Sequence, residues 1–321
     1  MLRGALICDD GLRHGYLVVE ECRFEESRLE FDDYYFSPTF FNAHTHLADS
    51  AFKEAPHMPL EELVGPEGYK HRMLAATRAE ILRSCVADEV RAARDCGTTF
   101  FLDFREGDVS VVEGIAGVLP LARPKSVDEA ENVRAFGFAY SSARDHDLEL
   151  LQEVREVARR RNMLFAIHAG ERDCEDVEAA LELQPDLLVH MNMCEEKIGE
   201  VLDAGIPVVS CVRSNAFFGL LNLRAYRTLA ESDLWLLGSD NAMIASASLL
   251  DEMHFAAYIV RDDAAVFRAA VRGFELFGMR SGFVVFNRRN SFKNTKNPLA
   301  TLVRRASAAD VELAIHPDET F

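Results

Sequence analysis

Two histidines separated by one residue, His44 and His46, raise the question of which chemistry this chain can perform. They lie in the segment FFNAHTHLADS, at the end of an apolar run that is typical of a β-strand. Alternate side chains of a strand point to the same face, so this spacing aims both imidazoles at one point. Because imidazoles are common ligands for Zn²⁺ and similar ions, the pair indicates a metal site if the chain supplies further ligands.

Three further polar residues follow apolar runs elsewhere in the chain. His168 ends the run NMLFAIH, His190 ends DLLVH, and Asp240 follows LWLLGS. If these runs are parallel strands of a barrel, their C-terminal ends lie at one rim and the side chains converge there. One such histidine could be a buried core residue. Three strands that end in histidine and a fourth that ends in aspartate favour a shared metal site.

These residue types indicate a hydrolytic metal centre. A divalent ion lowers the pKa of a bound water toward about 7 and so provides hydroxide at neutral pH. Asp240 could ligate the ion and also take a proton from that water. Glu171, three residues after His168, could be a general acid and base, or a helix N-terminal residue favoured by the helix dipole. His190 could be a ligand or could polarise the atom under attack, and the sequence leaves both roles open.

The elements that must position these side chains are eight short apolar runs, separated mostly by amphipathic stretches typical of helices. Near-continuous apolar runs are expected of parallel strands that are buried on both faces. Eight β/α units within about 210 residues predict a (β/α)8 barrel. A doubly wound sheet is the alternative, but no glycine-rich phosphate loop follows the first strand. The runs are FFNAHTHL and residues 98–104, 117–124, 133–142, 162–171, 186–192, 206–215 and 234–241.

Both ends of the chain carry short runs of a different kind. The first 35 residues contain GALIC, GYLVVE, CRFEE and RLEFDD, and the C-terminal part contains FELFGMRSGFVVFN and LATLVRRASAADVELAIH. These patterns are typical of short strands, and we expect the two ends to pair into one small β-sandwich domain. The predicted domains are residues 1–36 plus 280–321 for this small domain and residues 37–279 for the barrel.

The composition limits the partners and the compartment. A net charge of −18 argues against nucleic acid, which requires a basic surface. No run of 18 apolar residues is present and charges interrupt the N-terminal segment, so we expect no membrane span and no signal peptide. Seven cysteines without a CxxC pair argue against a disulfide framework and a Cys-rich zinc site, and they predict a reducing, cytoplasmic location.

The ordered motifs resemble those of the amidohydrolase superfamily. FFNAHTHL is similar to its strand-1 His-x-His motif, IHAGE and LVHMN to its strand-5 and strand-6 histidines, and LGSDNA to its strand-8 aspartate. HAGE, SCVRSNAFFG and GSDNAMIASASLLDEM resemble segments of the branch that contains cytosine deaminase, adenosylhomocysteine deaminase and the ATZ/TRZ chlorohydrolases. The resemblance extends over essentially the whole chain. Departures are Val212, where the branch usually has proline, and the short chain.

This resemblance implies a distorted (β/α)8 barrel, a small β-sandwich made from both termini, and one catalytic metal. Zn²⁺ is the expected ion, with Fe²⁺, Mn²⁺ and Ni²⁺ as alternatives. Binuclear members often add a carboxylated lysine on strand 4, and VRAFGFAYSS contains no lysine. His190 would bind the water or the substrate, and Glu171 would protonate the substrate and help to expel the leaving group. The implied ligands are His44, His46, His168 and Asp240.

Loops after the barrel strands should select the substrate. Each cationic or amide side chain in these loops could bind a carboxylate, a phosphate or a ring edge, or could equally form a surface ion pair. Cys211 lies on an apolar strand and is interpreted as a core residue rather than a nucleophile. The predicted substrate-binding residues are Lys70, His71, Arg105, Arg213 and Asn215.

The function expected from these residues is that of a metal-dependent hydrolase in which hydroxide attacks a C–N carbon. The preferred reaction is deamination of an aminated heterocycle of the purine, pyrimidine, pterin or triazine type, with release of ammonia. The alternative is hydrolysis of a cyclic amide or another C–N bond at the same mononuclear site, and a remote alternative is a non-catalytic scaffold. We expect a small-molecule substrate and, as the commonest assembly, a homodimer.

Overall fold

The computed structural model describes residues 1–316, whose strands form a six-stranded and a nine-stranded sheet. In chain order the strands are β1 (Leu2–Cys8), β2 (Gly11–Val18), β3 (Arg23–Glu26), β4 (Tyr34–Pro38), β5 (Phe40–His46), β6 (Thr98–Phe104), β7 (Val118–Ala122), β8 (Gly137–Tyr140), β9 (Leu164–Ala169), β10 (Leu187–His190), β11 (Val208–Ser210), β12 (Trp235–Leu237), β13 (Asp240–Asn241), β14 (Phe283–Asn287) and β15 (Val311–Ile315).

The nine-stranded sheet forms the barrel. Its order is β12-β11-β10-β9-β8-β7-β6-β5-β13, and neighbouring strands are parallel. Only Gly238 and Ser239 separate β12 from β13, so these two are halves of one interrupted strand. The first half pairs with β11 and the second half pairs with β5, which closes the sheet on itself. The predicted (β/α)8 barrel is therefore confirmed, in a distorted form.

Helices connect the barrel strands and cover them with their apolar faces. In α3, for example, Leu82, Val86, Val90 and Ala93 are buried at spacings of three and four residues, as expected for one face of an amphipathic helix. Within residues 1–316, no helix is long and apolar enough to cross a membrane. The helices are α1 (Leu60–Val64), α2 (Tyr69–Ala76), α3 (Ala79–Asp95), α4 (Val127–Asn132), α5 (Leu148–Arg161), α6 (Val177–Glu182), α7 (Ile198–Asp203), α8 (Val212–Phe217), α9 (Leu223–Ala230), α10 (Leu249–Val260), α11 (Asp263–Val271), α12 (Gly273–Leu276) and α13 (Pro298–Arg305).

The six-stranded sheet is built from both ends of the chain. Its order is β15-β14-β4-β1-β2-β3, with β1 and β4 parallel and the other neighbours antiparallel. The N-terminal strands therefore pair with the C-terminal ones, as the sequence predicted. The described strands lie in one mixed sheet rather than in the two sheets of a sandwich. The residue bounds proposed for the two domains stay a prediction.

Three segments that the sequence patterns assigned to strands are helical, and the first of them, FEL at residues 274–276, lies in α12. LATLVRR belongs to α13, because the Asn297 side chain caps the first turn by accepting from the amide of Ala300, and Pro298 occupies the first helical position. The seventh barrel strand ends at Ser210, and residues 212–217 form α8 instead of continuing the strand. This early ending moves the side chains that follow Ser210 away from the positions expected for a strand end.

Candidate active site

The C-terminal ends of four barrel strands bring the predicted polar residues together. β5 ends at His46, β9 carries His168, β10 ends at His190 and β13 begins at Asp240. The strand register aligns them, because Val189 pairs with His168 and Asp240 pairs with Thr45. Parallel strands in register end at the same rim, so the alignment places these side chains around one point.

Distances between side-chain atoms define this point. His44 Nε2 lies 3.1 Å from Asp240 Oδ1 and 3.3 Å from His168 Nε2. His46 Nε2 lies 3.5 Å from the same Asp240 oxygen. The ligand atoms of His44, His46 and His168 lie within 4.8 Å of one another, as do those of His44, His190 and Asp240. Gly238 permits this approach, since a Cβ atom there would lie 2.7 Å from the Cβ atom of His44.

The hydrogen bonds of two imidazoles show that this point suits a cation. His168 Nδ1 lies 2.7 Å from the carbonyl oxygen of Tyr140, which can only accept, so the proton is on Nδ1 and Nε2 is a free lone pair. His46 Nδ1 likewise faces the carbonyl oxygen of Phe104 at 3.0 Å and Glu106 Oε1 at 2.8 Å. Buried lone pairs that converge with a carboxylate repel one another unless a positive charge lies between them. The donor set of three nitrogens and one oxygen therefore suits a divalent ion such as Zn²⁺.

The charges at the rim agree with this donor set. Burial lowers the pKa of His44 to about 3, although Asp240 opposes the shift, so the ring is neutral and able to act as a ligand. Burial by itself would raise the pKa of Asp240, but the neighbouring imidazoles, His44 first and then His46 and His190, hold it well below the ordinary value. Ser214 donates a 2.5 Å hydrogen bond to Asp240 Oδ2, which fixes the second carboxylate oxygen. Asp240 is therefore an ionised, oriented carboxylate.

Glu171 and His190 form a second pair beside these ligands. Glu171 Oε1 lies 3.5 Å from His190 Nε2, and the side chain of Glu171 remains partly open to the pocket. Burial and the charge of Asp240 raise the pKa of Glu171, and His190 opposes the shift. His190 has a positive φ of 81° and Asp240 one of 60°, conformations that non-glycine residues rarely adopt. Such backbone strain is concentrated at functional sites, where the surrounding structure holds it.

A buried network that the sequence analysis did not assign supports His46 from behind. Glu106 Oε1 lies 2.6 Å from Lys70 Nζ as well as 2.8 Å from His46 Nδ1. Lys70 Nζ also lies 3.2 Å from Asp49 Oδ2 and 3.2 Å from Asn241 Oδ1. Burial raises the pKa of Asp49 to about 6 against the opposing charge of Lys70. Asp49 follows His46 by three residues and Glu106 follows β6 by two, and these positions near strand ends were the available sequence signal.

A pocket of about 850 Å³ opens above the convergence point and is lined by His46, His168, Glu171, His190 and Asp240. Most of its remaining wall comes from residues 58–72, which include α1 and the start of α2, and from loops after β7, β8 and β9. This volume is typical of a site that encloses a small molecule.

The predicted substrate-binding residues fall into two groups. Lys70 and His71 line the pocket, although the ammonium group of Lys70 is already held by its three oxygen partners. The other three residues are not among the described residues that line it. Arg105 is buried near Asp103, Arg213 on α8 donates to Glu252 Oε2 at 2.6 Å, and Asn215 donates to the hydroxyl of Tyr226 at 2.9 Å. Arg213 and Asn215 lie on α8 rather than at a strand end, which explains why their side chains are not part of the pocket wall.

One pair of cysteines also differs from the expectation that no disulfide would form. Cys174 and Cys194 are joined by a disulfide bond. Cys174 lies three residues after Glu171, and Cys194 lies four residues after His190. The bond therefore ties together the two loops that follow β9 and β10. Cys211 is buried, as the sequence predicted for a core residue.

Comparison with known proteins agrees with this geometry. The sequence profile of the Amidohydrolase family matches residues 35–282. An Archaeoglobus fulgidus protein named "Putative aminohydrolase" is 62% identical over 312 residues, which are 96% of this chain and 94% of that protein.

Solved structures with the same fold include two deaminases. An adenosine deaminase from Xanthomonas campestris with bound zinc superposes with a TM-score of 0.73 at 17% identity, covering 96% of this chain and 89% of that one. A guanine deaminase from C. acetobutylicum with bound guanine gives 0.76 at 15% identity, covering 97% and 96%. At these identities the likeness establishes the fold alone. The family profile and the archaeal relative go further: this chain belongs to the amidohydrolase family and is a hydrolytic enzyme that acts on C–N bonds.

Proposed function

We propose that this enzyme is a metal-dependent deaminase of an aminated heterocycle. The observation that carries the proposal is the convergence of His44, His46, His168 and Asp240 beneath a pocket of small-molecule size, with the carboxyl group of Glu171 at its edge. A ring carbon that bears an amino group is a C–N centre that a water molecule can attack at such a site. The ring carbon, the attacking water and the side chains that carry protons would then all lie in the same pocket.

A divalent ion, for which Zn²⁺ is the first candidate, would be held by the three histidines and Asp240. When bound, such an ion supplies a water that ionises near neutral pH. The protein residues then have separate tasks. Asp240, held by Ser214, accepts a proton from the attacking water, and His190, which lies beside Glu171, orients the ring. The positive φ values of both residues are consistent with a backbone arranged for these contacts.

Glu171 is the proton carrier in the proposed reaction. Its raised pKa keeps a larger protonated fraction near neutral pH than an exposed glutamate has. A protonated Glu171 gives its proton to a ring nitrogen as the water oxygen bonds to the carbon. The carboxylate then receives a proton from the added hydroxyl group and delivers one to the amino nitrogen, so that the C–N bond breaks and ammonia leaves. The ring keeps a carbonyl oxygen in place of the amino group, and the proton that Asp240 took from the water passes back to Glu171, which restores both carboxyl groups for the next cycle.

Hydrolysis of a cyclic amide at the same mononuclear site is the second candidate function. The metal ligands and Glu171 would have the same roles, and only the leaving group would differ. A non-catalytic scaffold is set aside, because the chain belongs to a family of hydrolases and keeps each of the candidate residues.

Ammonia release from a panel of aminated purines, pyrimidines, pterins and triazines tests the proposal. The protein would be loaded with zinc, and Glu171→Gln loaded in the same way would serve as the blank. Ammonia that depends on Glu171 would support the deaminase and identify the heterocycle. Metal-loaded protein that releases no ammonia, but opens a cyclic amide in a Glu171-dependent manner, would refute deamination in favour of the second candidate.

A further inference from the structure

Arg123 is a largely buried cation that makes only one long ion-pair contact with the described residues. It directly follows β7, so its side chain emerges at the same rim as the candidate metal ligands, and it lines the pocket. Its side chain is 15% exposed. The Nε atom donates a 3.4 Å hydrogen bond to the carbonyl oxygen of Ala139 in β8. Among the described residues, the only carboxylate oxygen within ion-pair distance is Glu106 Oε1, 3.8 Å from Nη2.

That carboxylate oxygen is already occupied. Glu106 Oε1 has Lys70 Nζ at 2.6 Å and His46 Nδ1 at 2.8 Å, both much closer than the guanidinium. Arg123 therefore lacks the bidentate carboxylate contact that a buried arginine usually makes. Another pocket arginine is engaged, since Arg172 Nη1 donates to Glu61 Oε1 at 2.6 Å.

The neighbourhood of Arg123 in the pocket wall offers further donors. Ser141 and His146, which follow β8, both line the pocket, and Ser141 Oγ lies 2.9 Å from His146 Nε2. Burial, followed by the charge of Arg123, lowers the pKa of His146 to about 4, so this ring is neutral at pH 7. The exposed Lys125 adds a second cation at the rim. A guanidinium whose one ion-pair contact within the described residues is long and shared, in a concave wall with hydroxyl and imidazole groups nearby, is suited to an oxyanion.

We propose that Arg123 binds a carboxylate or phosphate group of the substrate, so that the substrate of this enzyme is an anionic heterocycle. This inference rests on the proposed function for the reacting ring and adds the class of its substituent. Glu106 Oε1 lies 3.8 Å from Arg123 Nη2 and 2.8 Å from His46 Nδ1, so the guanidinium is close to the candidate metal ligands. An anionic group bound by Arg123 therefore lies in the same pocket as the reacting ring and near the His46 side of the site.

The test uses matched pairs of compounds that differ in the anionic group. Pterin is compared with pterin-6-carboxylate, and adenosine with adenosine 5′-monophosphate, so that the two pairs distinguish carboxylate from phosphate. Dissociation constants are measured with zinc-loaded wild-type protein by fluorescence for the pterins and by calorimetry for the adenosines. We expect one anionic member to bind about 10- to 100-fold more tightly than its neutral partner, as charge-assisted hydrogen bonds would give.

Arg123→Gln should remove this preference by weakening the binding of the anionic member more than that of the neutral member, and Arg123→Lys should restore part of the preference. The matched control is Arg91→Gln on α3, an exposed arginine whose partner is Asp88. This control should retain the preference of the wild type. If the wild-type protein binds neither anionic member more tightly than its neutral partner, the inference is overturned without recourse to any variant.

Ammonia release in the same mixtures separates this inference from the proposed function. Arg123-dependent binding of an anionic member, with no ammonia from any compound, would support the anion site and refute the deaminase. Ammonia released equally well from the neutral and anionic members of a pair would support the deaminase and overturn the anion site.

Discussion

Glu106→Gln is the substitution that tests the network behind His46 most directly. In the native protein, Glu106 Oε1 accepts from His46 Nδ1 and lies 2.6 Å from Lys70 Nζ. The carboxylate therefore keeps the proton of His46 on Nδ1 and leaves the Nε2 lone pair for the metal. Glutamine has the same shape, but it offers one neutral oxygen to these two donors, and its NH2 group cannot accept.

The expected losses of zinc affinity and of stability follow from the contacts of Glu106 with His46 and Lys70. Outer partners of metal-bound histidines typically change metal affinity by about 10- to 100-fold. The carbonyl oxygen of Phe104, 3.0 Å from His46 Nδ1, still holds the ring, so we expect the lower half of that range, about 10- to 30-fold. Lys70 keeps Asp49 as a partner, and the loss of stability should therefore be about 1–3 kcal/mol rather than that of an isolated buried charge.

Competition with a chelator near pH 7.5 measures the zinc affinity. Urea unfolding of the metal-free protein measures the loss of stability. Glu89→Gln is the matched control, because Glu89 is also buried and paired with a lysine, Lys53, but has no contact with a candidate ligand or with Ser214. The control should lose stability and keep its zinc affinity. A folded Glu106→Gln protein that binds zinc as tightly as wild type would refute the orienting role of Glu106.

Three further predictions test the site. His168→Ala should remain folded and lose most of its bound metal, and near-normal metal content after dialysis would contradict the ligand assignment. Glu171→Gln should keep its metal and lose turnover by about 10²-fold or more. An unchanged rate would instead support the alternative that Glu171 is a helix N-terminal residue without a catalytic role. Since the folded pKa of His146 is about 4, below its unfolded value of 6.5, wild-type stability should fall as the pH drops through this interval. His146→Gln should lose about 1–2 kcal/mol less free energy of unfolding than the wild type over this interval, a figure that allows for the partial exposure of His146. Unfolding curves of both proteins at pH 7 and 4.5 check this, and an equal loss in the two proteins would disprove it.

Much of the site could be predicted from local sequence, because each metal-ligand candidate lies at or near the C-terminal end of a buried apolar run. A strand inside a barrel reads as an uninterrupted apolar run, and polar residues at its end stand out against that run. Since parallel strands end at one rim, the order of runs along the chain was sufficient to bring His44, His46, His168 and Asp240 together. The structure places all four ligand atoms within one small volume.

Helix propensity and strand propensity were harder to separate near the ends of elements. The run IPVVSCVRSN looks like one long strand, but the barrel strand stops at Ser210 and the chain turns into α8. Glu252, from a helix 40 residues later, accepts from the amide of Val212 at 2.6 Å and holds this turn. Sequence alone gave Arg213 a place in the pocket, whereas its actual ion pair depends on that distant carboxylate.

The sequence by itself determined the barrel, the rim and the residue types that meet there, because these depend on periodicity and strand order. Only the tertiary structure decided which charges remain available. Lys70 and Arg123 are both cations of segments that follow barrel strands. Lys70 is held by Asp49 and Glu106, whereas within residues 1–316 the carboxylate nearest to Arg123 is that of Glu106, whose oxygen already has two closer partners. Charge pairing depends on distances between side chains from separate loops, and no local pattern encodes those distances.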